Sequence, residues 1–296
     1  MESISKSRET IETILDSSLI TPTIYDKPKL YNCKIVECGS FIQVYYYANS
    51  RIKNLNKEDN VDLSLKKIDI EVETSNKTKS KKFTNHIEDK NITRSKLQCQ
   101  RIAKANMEYW ETFITLTFAD NVTDIDVANK RFRYFVDKIR RIKKDFRYIC
   151  VPEYQERGAV HYHLLTNISI NDKLMYEQKD NPKFKHIKYW SEGFTRVDNI
   201  KGDIKKIIGY ISKYMTKDAD DRLFGRRRFF YSQNCLVPKI SYIDSIEKKD
   251  LDFLNKKIQD KELIYQNEYL NIYDKTTVQY LEYQLTDSIV SQKREN

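Results

Sequence analysis

Hydrophobic positions along this chain recur with two different periods, and the points where one gives way to the other predict its elements. The run KLYNCKIVECGSFIQVYYYA is rich in β-branched and aromatic residues and reads as two strands turning near Gly39. TFITLTFA, residues 112–119, reads as a strand bounded by Asp120 and Asn121. The stretch DIDVANKRFRYFVDKIRRIKKDF then shifts to helical spacing, with Val127, Phe132, Phe135, Val136 and Ile139 on the inner stripe. A short apolar run, CVPEY, leads through polar QERG into AVHYHLLT, which is strand, turn, strand. Beyond a loop holding Trp190 and Gly193, FTRVDNI is a further strand. In the helix expected from Asp203 to Lys217, Ile204, Ile207, Ile208, Ile211 and Met215 share one stripe. This succession predicts an α+β domain over about residues 110–220, a central antiparallel sheet with helices packed against it, within a central region set at 94–232. Residues 1–93 are expected to be an N-terminal region holding the first hairpin and a flexible basic connector at 74–92, and 233–296 a C-terminal accessory region. Tyr265, Tyr269, Tyr273, Tyr280 and Tyr283 in that last region match no catalytic pattern.

The hairpin carries the first candidate chemistry. Two of the four histidines, His161 and His163, stand two apart on a strand and therefore on one face, with Tyr162 and Leu164 on the other. If Glu156, Arg157 and Gly158 form a three-residue turn, Gln155 pairs with Ala159 and Glu153 falls opposite His161. A two-residue turn would place Tyr154 there instead. Two imidazoles and a carboxylate suit a catalytic divalent ion with open positions; half-buried strand histidines are the plainer alternative.

Composition narrows the partner. Lysine and arginine outnumber aspartate and glutamate by 53 to 43, giving a net charge of +10, which favours a polyanion and nucleic acid first. The five cysteines form no CxxC pair and no signal peptide is evident, so reduced thiols and a cytoplasmic setting are expected. No apolar run is long enough to suggest a membrane helix. None of the six glycines fits a phosphate-binding loop, so any strand separation is expected from a partner. Arg94, Arg101 and Lys104 on a basic helix, together with Lys217 and the run Arg226, Arg227 and Arg228, are candidate phosphate contacts.

Tyr210 and Tyr214 are four apart and share a helix face at the edge of the apolar stripe, with Lys213 between them. Alone they could be border tyrosines with wet hydroxyls. The order FITLTFA, EYQERGAVHYHLL, YISKYMTK, however, resembles the three motifs of the HUH endonuclease superfamily, specifically the rolling-circle replication initiators of small single-stranded-DNA phages and related plasmids. That resemblance implies a ferredoxin-like or RRM-like sheet and a magnesium or manganese ion on His161, His163 and Glu153; Glu156, a second carboxylate near the hairpin, departs from the family pattern. It implies paired nucleophiles, Tyr210 and Tyr214, assisted by Lys213. It also implies nicking and rejoining of single-stranded DNA at an origin through a 5′-phosphotyrosine, a 3′-hydroxyl primer, a host helicase and polymerase, and a bacterial cytoplasm. The alternatives are a single-tyrosine relaxase or transposase of the same superfamily, and a non-catalytic single-strand-binding module.

Overall fold

Strand-forming residues on both sides of Gly39 need a tight reversal, and Gly39 provides it at φ +63°. The computed structural model describes residues 29–53, 77–178, 181–200, 208–209, 211, 221–223, 226–271 and 275–285. In it the first hairpin is β1, Lys29–Cys38, and β2, Phe41–Lys53. Helix α1 follows, Lys77–Ala105. The connector expected at 74–92 is thus helical from Lys77. It lacks an apolar period, but glycine and proline are absent from the whole of α1, so nothing in the chain breaks the helix.

The central domain begins with β3, Thr112–Thr117, and α2, Ile125–Ile142. Asp124 caps α2 by accepting hydrogen bonds from the amides of Asp126 and Val127 at 2.7 and 3.2 Å. The buried stripe of α2 is Ile125, Ala128, Phe132, Phe135, Val136 and Ile139. Val127, expected on that stripe, is 42% exposed: it lies one residue, about 100° of helix rotation, from Ala128. Next come β4, Tyr148–Tyr154, β5, Val160–Thr166, β6, Met175–Gln178, β7, Asn181–Ile187, β8, Thr195–Asn199, and β9, Phe230–Tyr231. They form a seven-stranded sheet in the order β6-β7-β8-β3-β5-β4-β9, antiparallel at every step.

Alternation along the strands gives this sheet two covered faces. On one, Ile114, Leu116, Phe118, Tyr162 and Leu164 pack beneath α2, with the rings of Phe132 and Tyr162 stacked at 4.7 Å. Full burial of each such side chain is worth about 1.5–3 kcal/mol. On the other, Phe113, Ile149, Val151 and Leu165 meet Cys99, Ile102 and Ala103 of α1, and also Ile208 and Ile211, two of the stripe residues expected in the tyrosine helix. The loop before β8 passes so close to β3 that a Cβ on Gly193 would stand 2.3 Å from the Ala119 nitrogen.

The two flanking regions belong to one second sheet. Strand β10, Lys239–Ile243, helix α3, Lys248–Ile258, and strands β11, Lys261–Leu270, and β12, Thr277–Leu285, come from the C-terminal part. With β1 and β2 they form a five-stranded antiparallel sheet in the order β10-β1-β2-β12-β11. Leu254 of α3 packs on Cys33, Ile35, Ile42, Val44 and Ile243, which closes one face. The end of α1 joins the two sheets.

Candidate active site

Gly158 holds φ +89°, the Gln155 amide donates to the Ala159 carbonyl at 2.9 Å, and the Gly158 amide donates to the Gln155 carbonyl at 2.8 Å. The three-residue turn follows, and with it the register: Glu153 pairs with His161 and Val151 with His163. Across the other edge of β5, Thr117 pairs with His161 and Thr115 with His163. Both histidines therefore face the α1 side of the sheet, just beyond its apolar rows.

Each ring is held differently. His163 lies parallel to Phe113 at a ring separation of 5.9 Å, its Nδ1 is 3.3 Å from the Thr115 hydroxyl and its Nε2 is 2.7 Å from Glu153 Oε2. His161 is 7% exposed, and its Nε2 is buried with no hydrogen-bond partner among the described residues. Burial first, then the neighbouring His163, push the His161 imidazole down to about 4, so it is neutral at physiological pH with a lone pair available to a cation. The ring centres of the two histidines are 6.4 Å apart. Among the described residues no three His, Cys, Asp or Glu side chains close around one point. The donor set nonetheless fits a divalent ion in kind: one imidazole is already tied to a carboxylate, and the other offers, on the same face, a buried nitrogen with no partner among the described residues.

Several supporting residues are absent from the motif pattern. Thr115 fixes His163 from β3, and strand alternation opposite the histidines identifies it. Arg157 braces the turn by donating to the Phe118 carbonyl at 2.7 Å, and Arg222 lies over the Tyr154 ring at 3.8 Å. Glu156 is exposed in the turn. Tyr210, Lys213, Tyr214 and Lys217 lie outside the described residues.

The basic residues divide into two groups. Arg101 is 9% exposed and donates to Gln43 and to the Tyr45 hydroxyl at 2.8 Å each, while Lys104 is ion-paired with Glu282. Expected as phosphate contacts, these two side chains instead tie α1 to the second sheet, because the helix face that carries them lies on the sheet. Arg94, Arg133, Arg226, Arg227 and Arg228 line a cleft of about 1100 Å³ together with Phe229, Phe230 and Tyr231. Within it Arg228 is buried and Arg226 is paired with Asp126 at 2.5 Å, whereas Arg94, Arg133 and Arg227 are exposed.

These features define an α+β chain with a histidine–carboxylate site on a sheet face and a separate arginine-lined cleft. Residues 111–219, from β3 through the tyrosine motif, match the family described as replication-associated protein ORF2. The phasyl DNA replicon protein arp of Escherichia coli is 30% identical over 128 residues, covering 37% of this chain and 44% of that protein. The chain thus matches less than half the length of this relative. No solved structure matches. Among the described residues no helix is long and apolar enough to cross a membrane.

Proposed function

We propose that this protein initiates rolling-circle DNA replication by nicking and rejoining one strand at an origin. The observation that carries the reading is the buried Nε2 of His161, which has no hydrogen-bond partner among the described residues, beside the Glu153–His163 pair and inside the segment that matches replication-associated proteins. His161, His163 and Glu153 would hold a magnesium or manganese ion. Bound there, it supplies positive charge to the non-bridging oxygens of a phosphodiester. The Tyr210 or Tyr214 oxygen would attack phosphorus, the bond to the 3′ oxygen would break, and the departing oxygen would take up a proton as the 3′-hydroxyl. A phenol ionises near about pH 10, and the Lys213 ammonium would favour its phenolate. The remaining tyrosine would cleave the regenerated origin while the first-linked strand is resealed. Unwinding and extension would fall to a host helicase and polymerase.

The test is covalent adduct formation with single-stranded fragments of the protein's own replicon in manganese. Wild-type chain is expected to form a protein–DNA adduct that chelator abolishes. His161→Ala and His163→Ala should form none while keeping native circular dichroism. Each single phenylalanine variant of Tyr210 or Tyr214 should retain some adduct and the double variant none. Adducts that persist in chelator would overturn the metal reading. Adducts mapped to a single tyrosine, with the other variant replicating normally, would assign the chain to the single-nucleophile type.

A further inference from the structure

An antiparallel sheet with one face on a helix ordinarily turns polar residues to its other face. The five-stranded sheet sets tyrosines among them. Opposite α3, the cross-strand row Tyr242, Lys34, Tyr45, Tyr280 and Asn267 runs across all five strands. The next row sets Tyr47 beside Val278 and Tyr269. Tyr31 reaches the same side, its ring 5.9 Å from that of Tyr47 and 4.7 Å from that of Tyr242. Cations lie over these rings: Arg51 is 4.0 Å from the Tyr47 ring and Lys53 is 4.7 Å from the Tyr242 ring. At the outer edge Tyr265 and Tyr269 of β11 are 52% and 44% exposed.

These rings do not build the core of the sheet, which lies on the opposite face under Leu254. Of these rings the end of α1 takes up Tyr45 alone among the described residues, meeting the sheet around Phe41, Gln43 and Tyr45. What remains among the described residues is a surface of aromatic faces and cations on an antiparallel support, exposed at Tyr265 and Tyr269. That combination recognises unpaired bases by stacking and the adjoining phosphates by charge, without regard to sequence; duplex bases, stacked on each other, have no free faces to offer. We propose that this face is a second nucleic-acid site that binds single-stranded DNA, with bases stacking on Tyr265 and Tyr269 and phosphates drawn to Lys34, Arg51 and Lys53. The site lies outside the segment matched by the replication-associated family and does not depend on the nicking reading.

Fluorescence anisotropy of labelled oligo(dT) with the full chain in chelator tests this without any contribution from nicking. Tyr265→Ala combined with Tyr269→Ala should weaken binding about tenfold or more, and the corresponding pair of phenylalanine substitutions should not, because stacking needs the ring and not the hydroxyl. Photocrosslinking with iododeoxyuridine should mark β11. Unchanged affinity in the alanine variant with native circular dichroism would overturn the proposal. So would crosslinks confined to residues 226–231, or equal competition by duplex. The two readings separate cleanly: a chain that binds oligo(dT) through β11 but forms no adduct loses the nicking assignment and keeps this one, and the reverse result does the opposite.

Discussion

At the scale of single residues, position in the hairpin separates two carboxylates that are only three apart. Glu153 sits in β4 opposite His161 and bonds His163, whereas Glu156 stands in solvent at the turn. Glu153→Gln should therefore slow adduct formation by about a hundredfold or more, and Glu156→Gln by no more than about twofold, read as initial rates in manganese. The reverse ranking would show that the turn residue reaches the phosphate. Buried thiols give a second residue-level expectation. Burial pushes Cys33 and Cys38 up to about 12, the neighbouring Asp250 adding to the rise at Cys33. An unfolded cysteine ionises near about 8.5, so above that pH the unfolded chain sheds protons that the folded chain keeps. The stability these thiols contribute is whole below about pH 8.5 and declines as pH rises towards about 12. Urea midpoints should fall between neutral pH and about pH 10, and a midpoint that stayed level would show the thiols to be open to water.

At the scale of elements, what could be read from the sequence is what side-chain periodicity or a special backbone position dictates. The hairpin register was legible as one of two, and Gly158 at positive φ belongs to the three-residue turn that places Glu153 opposite His161, while α2 followed from its apolar stripe. The β6–β7 hairpin was hidden by charge and by Pro182, which weaken the alternating pattern of a strand. β9 was hidden inside a basic run: Phe230 and Tyr231 pair with Cys150 and Ile149, so the segment expected to bind phosphates is also the sheet edge beside its own cleft. The same geometry explains why the arginines there are unequal. Arg228 is buried and Arg226 has Asp126, which leaves Arg133 on α2 and, on the side of α1 and β9, Arg94 and Arg227 as exposed cations of the cleft. Replacing Arg94 and Arg227 with glutamine should lower the slope of log affinity against log salt for single-stranded DNA by about 1.4, or about 0.7 for each phosphate no longer neutralised. An unchanged slope would make them ordinary solvated surface.

At the scale of the whole molecule, local pattern says least, since strand pairing between distant segments leaves no periodic trace. Residues 1–93 and 233–296 read as separate flanking regions, yet β2 takes β1 on one side and β12 on the other, while β10 covers the free edge of β1. The C-terminal strands therefore complete the N-terminal hairpin. Helix α1 carries this dependence to the site: Cys99, Ile102 and Ala103 pack on the sheet face that bears the histidines, while Lys104 is ion-paired with Glu282 of β12. A chain ending at Leu236 would lose β10, α3, β11 and β12 and would uncover Cys33, Ile35, Ile42 and Val44, none more than 2% exposed in the full chain. At about 1.5–3 kcal/mol for each such side chain, the loss is comparable to the whole stability of an ordinary domain. The truncated chain should bind hydrophobic dyes, aggregate and lose the cooperative thermal transition of the full protein. Its adduct formation should fall with it, even though His161, His163, Tyr210 and Tyr214 are all retained. A truncated chain that stayed soluble, melted at the full-length temperature and formed adduct at the full-length rate would show that the central domain stands alone, with the five-stranded sheet an appendage to it.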